Sequence, residues 1–204
     1  MRVADLFFDR AAGRFFGAHT SWADEWIHDV GRRFVVSVAL GALGLLAASL
    51  AATRLVPYRR AAAFVVLTMA IGPGLVTLGK QTTNIGCPRE LTRYGGQRPY
   101  ARLFDSRPAD LPRAECFPGG HSSGAFSLVA FYFALRGLRP RAARAALAGA
   151  LALGCVFSFG QWARGAHFPT HDAASALICW IAAAALYGGP FGARLWPEAR
   201  AQGA

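Results

Sequence analysis

The chain has 204 residues, 54% hydrophobic and only 16% charged, with a mean hydropathy of +0.30, which excludes an ordinary soluble domain and places it in a membrane. Its formal charge is +11, with 22 Lys and Arg against 11 Asp and Glu. Much of that charge sits in short loops between apolar runs, so it reads as topology and lipid-headgroup contact, and nucleic-acid binding is excluded.

The first 20 residues, MRVADLFFDRAAGRFFGAHT, carry charges throughout and lack the unbroken apolar run of a secretory signal. They read as an interfacial amphipathic segment with Leu6, Phe7, Phe8, Phe15 and Phe16 as its apolar residues. Residues 1–33 are therefore set apart from a membrane domain over 34–190 and a cytoplasmic tail over 191–204. A span needs about 20 mostly apolar residues. Five are expected, at Phe34–Thr53, Ala61–Gly79, Ser122–Leu135, Ala143–Trp162 and Ala173–Tyr187, the third being short. The expected fold class is all-α, a polytopic membrane helical bundle.

Charge sets the orientation. The connections Arg54 to Arg60 and Arg136 to Arg144 hold only positive charge, and the tail adds Arg194 and Arg200, so these segments are expected on the cytoplasmic side. Residues 1–33 balance five arginines against five acids, and their translocation is not opposed. The stretch from Lys80 to His121 and the turn from Arg164 to Asp172 then face the other way, which in a bacterial inner membrane is the periplasm.

Three clusters of chemistry collect on that face. Lys80, the only lysine beside 21 arginines, ends the second apolar run. A compact ammonium with three donors suits a phosphoryl oxygen, although a lone interfacial lysine is the plain alternative. The loop after it, residues 80–104, is made cationic by Arg89, Arg93, Arg98 and Arg102, and suits an anionic ligand or a lipid headgroup.

The second cluster is Pro118-Gly119-Gly120, a sharp turn feeding an apolar helix at His121. Backbone N–H groups at such a start form an anion site that glycine lets a phosphate approach. His121 is placed to give a proton to a leaving oxygen, or else is a capping histidine. The third cluster holds Arg164, His167, His171 and Asp172. An imidazole oriented by a carboxylate acts as base or nucleophile, and a neighbouring arginine holds the anion under attack. The i, i+4 spacing of His167 and His171 also suits zinc, a reading disfavoured by the missing HExxH pattern and the scarcity of acids.

In this order the clusters resemble the type 2 phosphatidic acid phosphatase superfamily. Its signature is Lys, six residues, Arg-Pro; then Pro-Ser-Gly-His; then Ser-Arg, five residues, His, three residues, Asp. The likeness runs from Lys80 to about Ser175. Cys87-Pro88 stands at the Arg-Pro position, with Arg89, Arg93 or Arg98 as substitutes, and Gly119 replaces Ser. Counting from His167 finds Gln161 six residues back and His171 four ahead. Counting from His171 finds Arg164 seven back and Ser175 four ahead.

The resemblance implies phosphoryl transfer without metal or cofactor. His167 attacks phosphorus, with His171 as the alternative nucleophile; Asp172 orients the nucleophile, His121 protonates the leaving group, and Lys80, Arg98, Arg164 and the Gly119 and Gly120 amides hold the phosphate. It implies a phosphatase for a membrane lipid phosphate or diphosphate at the periplasmic face, with undecaprenyl diphosphate, phosphatidylglycerol phosphate and lipid A phosphates as candidates. A lipid phosphotransferase and an inactive lipid-binding relative are the alternatives, and no obligate protein partner is expected. Of the four cysteines, Cys155 and Cys179 fall inside spans. Cys87 and Cys116 share the outer face and are expected to pair in an oxidising compartment.

Overall fold

The computed structural model describes residues 1–105, 110–192 and 195–196; Arg194 and Arg200 of the tail lie outside the described residues. A short helix α1 (Arg2–Asp5) leads into a two-stranded antiparallel hairpin, β1 (Phe8–Asp9) and β2 (Arg14–Phe15). Helix α2 (Trp22–Ala51) follows, wound with wide π turns over Trp22–Val30 and as a regular α-helix over Gly31–Ala51. The bundle continues with α3 (Arg59–Thr83), α4 (Gly120–Phe126), α5 (Val129–Leu135), α6 (Pro140–Ala163) and α7 (Pro169–Leu186).

Among the described residues, four helical stretches are long and apolar enough to cross a membrane: Trp22–Ala51, Thr53–Glu90, Pro140–Ala163 and Pro169–Gly189. The last three contain the expected spans Ala61–Gly79, Ala143–Trp162 and Ala173–Tyr187 and run further at both ends, while the first begins before Phe34 and stops at Ala51, short of Thr53. The chain is an all-α polytopic bundle, with the small hairpin as its exception. Leu40, Leu50, Leu78 and Leu177 stand exposed on the flanks of α2, α3 and α7, as side chains meeting lipid tails do.

The third expected span, Ser122–Leu135, is not one helix. It is broken into α4 and α5 at Ser127 and Leu128, where the Leu128 N–H donates to the Ala125 carbonyl and the Ser127 hydroxyl to the Gly124 carbonyl. Such i→i+3 bonds tighten the helix at the break. The pair sits in the middle of the bundle against α2, α3, α6 and α7, and does not meet the bilayer as an independent rod. Phe64, Val65, Met69, Leu128, Val129 and Phe133 form the core around it.

The N-terminal segment folds as a short helix and a hairpin, with part of its aromatic set turned inward onto the protein while Leu6 and Phe16 stay exposed. Phe15 is buried, and the rings of Phe8, Phe15 and Tyr94 pack with centroids 5.1 Å apart. Asp5 accepts from Arg93 at 2.8 and 2.9 Å and from the Tyr94 hydroxyl at 2.9 Å. The Arg93 guanidinium holds the Asp5 carboxyl below its usual range, while burial, then the Asp5 contact, pushes Tyr94 up to about 12.

Local sequence explains where the helices stop. Asn84 closes α3 at φ +48°, a left-handed conformation that Asn tolerates. Pro140 and Pro169 occupy the first turns of α6 and α7, where the missing N–H costs nothing. As a result the C-termini of α3 and α6 and the N-termini of α4 and α7 share one end of the bundle. The arginine-rich connections share the other, where Arg136 lies 5.3 to 5.9 Å from the Tyr132, Phe133 and Tyr187 rings and Trp196 folds back to donate to the Ala134 carbonyl at 2.6 Å.

Candidate active site

The long loop after α3 returns to its origin before α4 begins. Ala114 N–H donates to the Asn84 side chain at 2.7 Å, Cys116 N–H to the Ile85 carbonyl at 3.0 Å, and the Thr83 hydroxyl to the Phe117 carbonyl at 2.6 Å. Cys87 and Cys116 are joined by a disulfide, as expected for two cysteines on this face. The turn Phe117-Pro118-Gly119-Gly120, with a cis peptide before Pro118, is thereby fixed against the end of α3.

Lys80 lies over that turn. Its Nζ donates to the Glu115 carbonyl at 3.0 Å, and a Cβ on Gly120 would come 2.9 Å from its Cε. Glycine at 120 therefore gives the lysine room close beside the start of α4. Gly119 is constrained differently. Its N–H donates to the His171 carbonyl at 3.0 Å, so this amide is committed within the protein, while Gly120 heads the helix. The Gly119 carbonyl accepts from Ser175 at 2.7 Å.

His167 and His171 are both buried and both hydrogen-bond to the Cys116 backbone, with ring centroids 5.8 Å apart. Burial is the first cause holding His167 well below the usual imidazole pKa, reinforced by His171 and Lys80 nearby. His167 is thus a neutral imidazole at neutral pH. Together with Cys116, the two histidines form a group whose candidate ligand atoms lie within 4.8 Å of one another. The Cys116 sulfur is bonded to Cys87, so the trio offers two imidazoles and no thiolate, short of the three or four ligands a zinc site uses.

Asp172 is buried, and its hydrogen bonds do not run to an imidazole. Oδ1 accepts from Ser122 at 2.6 Å and Oδ2 from the Trp162 indole at 2.7 Å. The orienting role expected of Asp172 has no contact behind it here, since the carboxylate instead ties α4, α6 and α7 together. Arg164 pairs with Asp24 at 2.6 Å, and Arg98 with Glu90 at 3.4 Å and with the Pro112 carbonyl. Both guanidiniums thus carry a carboxylate partner in this arrangement.

His121 opens α4 and is held by three groups. Its ring stacks on Phe157 and on His28, at 4.5 Å each, and hydrogen-bonds to the Ile27 backbone. His121 Nε2, His171 Nδ1 and Gln161 Nε2 are buried without hydrogen-bond partners. Buried polar atoms are rarely left so outside functional sites. Beside His171 opens a cavity of about 560 Å³, walled by Ile85, Tyr100, Phe117 and Phe168.

A family model, the PAP2 superfamily, matches residues 61–194. The chain belongs to the PAP2 superfamily. Comparisons with curated proteins and with solved structures gave no match. The PAP2 match takes in Lys80, His121, His167 and His171 and leaves out α2. Members of the superfamily are phosphatases, and PAP2 membership supports a phosphatase at that coarse level.

Sequence reasoning missed Ser122, Trp162, Asp24 and His28. Trp162 and Ser122 carried no signal, since Trp in a span and Ser after a turn are ordinary. His28-Asp29 is a histidine beside an acid, but nothing in the sequence placed it near His121.

Proposed function

We propose that the chain is an integral-membrane phosphatase that hydrolyses a lipid phosphate or diphosphate at the periplasmic face through a phosphohistidine. The observation that carries this reading is His167: buried, neutral, held by the Cys116 main chain and close to Lys80. A His167 nitrogen bonds to phosphorus as the P–O bond to the lipid breaks, and the electron pair leaves on that oxygen. His121 supplies its proton. With Nε2 unpartnered, the Ile27 contact falls to Nδ1, so Nε2 is the free atom and carries the transferable proton when the ring is in its imidazolium form. Water then cleaves the N–P bond, returning a proton to His121 and releasing phosphate.

Lys80 and the amides at the start of α4 stabilise the phosphoryl oxygens, the kind of electrostatic contribution that is commonly the largest in catalysis. His171, four residues beyond His167, stands where the superfamily signature has its carboxylate, and we assign it the orienting role in place of Asp172. Arg98 and Arg164, each paired with a carboxylate, join the cradle through their remaining N–H donors.

The test is phosphate release by the purified protein from a lipid diphosphate and a lipid monophosphate, with trapping of an acid-labile phosphoenzyme. His167→Ala abolishes both turnover and label, and His171→Ala weakens them. Activity in His167→Ala with loss in His171→Ala moves the nucleophile one helical turn along. Dependence on a lipid acceptor marks a phosphotransferase. Binding without turnover marks an inactive relative, a reading favoured by an Asp172 that holds no imidazole.

A further inference from the structure

The PAP2 match begins at residue 61, yet the ring of His121 is held from a segment that precedes it. His28 covers one face of the imidazole, 4.5 Å away and within 24° of parallel, and Phe157 covers the other, 4.5 Å away and within 18°. Ile27, the residue before His28, hydrogen-bonds the ring through its backbone. His28 is itself fixed, its Nδ1 lying 2.8 Å from Asp29 Oδ1. The same segment is fastened to the third cluster by Asp24 on Arg164 at 2.6 Å and by the Gly17 N–H on the Ala163 carbonyl at 2.9 Å.

We propose that His28 is a positioning residue, locking the plane of the His121 imidazole so that Nε2 faces the leaving oxygen and making the first turns of α2 part of the active site. A ring sandwiched between two flat faces cannot rotate about its Cβ–Cγ bond, whereas a ring with one open face can. General acid catalysis depends on holding the donor within hydrogen-bond reach of the departing oxygen, so loss of the second face costs the proton-transfer step selectively. The proposal rests on the reading of His121 as the acid.

The experiment uses the full chain in lipid nanodiscs and two substrates. A long-chain alkyl monophosphate has a poor leaving group that needs the proton, and p-nitrophenyl phosphate has a good one that needs it little. Because a general acid contributes about 100-fold or more, His28→Ala is expected to lower kcat on the alkyl phosphate about 10-fold, with KM changed less than about 2-fold. The same variant loses less than about 2-fold on the nitrophenyl ester, and His28→Phe, which restores a flat face, recovers most of the alkyl phosphate activity. If His28→Ala fails to fold, His28→Leu, which fills the space without a flat face, replaces it with the same expected contrast. Equal losses on both substrates, no loss on either, or a Phe variant as poor as the Ala variant overturns the role of His28 alone. A wild-type protein that releases phosphate from neither substrate overturns the phosphatase reading, and the role of His28 with it.

Discussion

Asp172 Oδ1 lies 2.3 Å from the point where a Cβ on Gly119 would sit. The carboxylate occupies the space that the superfamily's serine would need at this position, so the two departures from the signature, a glycine in the second motif and an Asp displaced by one residue in the third, form one packing arrangement. Restoring the signature residue alone should therefore harm the protein. Gly119→Ser is expected to destabilise by about 1–3 kcal/mol through overpacking and to lower turnover. Thermal unfolding in detergent reads this directly, and pairing the change with Asp172→Ala should recover part of the lost stability.

Lys80 is the second test. Its Cε already lies close to the backbone at Gly120, and a longer, planar guanidinium has no equivalent path to the same oxygen. Lys80→Arg should lower kcat about 10-fold or more, while Lys80→Met, which removes the charge, should lower it further. A Lys80→Arg variant with unchanged kcat would show that the ammonium is not in the cradle.

The Cys87–Cys116 bridge closes a loop of about 30 residues, for which the chain-entropy model gives a stabilisation of roughly 3–4 kcal/mol. Cys116 also carries the backbone that holds both imidazoles. Reduction, or Cys87→Ser with Cys116→Ser, should lower the melting temperature and the turnover together. Mass spectrometry of unreduced protein is expected to find these two cysteines without free thiols.

The pH dependence of phosphoenzyme formation follows from the depressed pKa of His167. Burial disfavours the imidazolium, so the neutral nucleophile persists as pH falls through about 6.5, where an ordinary histidine is half protonated. Rapid-quench labelling should therefore show a formation rate that is level from pH 8 down to pH 6.5 and declines only in more acid solution. A half-maximal rate at the ordinary histidine value would contradict this assignment.

Orientation is checked at Gln97, an exposed residue in the loop between α3 and α4. In a Cys155→Ala background, Gln97→Cys should react with an impermeant thiol reagent in intact spheroplasts, because the arginine-rich connections at the other end of the bundle favour the cytoplasm. Labelling only after membrane disruption would reverse the topology.

The parts of the site legible in the sequence are those encoded locally. Lys80 stood out as the one ammonium at the end of an apolar run, and Gly119, Gly120 and His121 as a turn feeding a helix. The order of the three clusters required only that α3, α4, α6 and α7 alternate in direction, which span counting supplies. The break at Ser127 was hidden because neither Pro nor Gly marks it, and its cause is burial among four other helices. The partners of Asp172, Arg164 and Arg98 were hidden for a related reason. A charged side chain near a motif finds whichever counter-group packing brings to it, and Trp162, Asp24 and Glu90 were supplied by tertiary contact rather than by spacing.

The broken inner helix bears on how a lipid reaches the site. From Gly120 to Leu135 it covers about 16 residues, or roughly 24 Å at 1.5 Å per residue, several ångströms less than the roughly 30 Å hydrocarbon layer. If its inner end is level with the cytoplasmic boundary, His121 at its outer end is sunk beneath the plane of the surrounding headgroups. On the lipid-phosphatase reading proposed above, a substrate must then dip its phosphate below those of its neighbours and into the bundle. The depth of that step depends on the thickness of the surrounding layer, so turnover should rise in vesicles of shorter-chain lipids and fall in thicker ones.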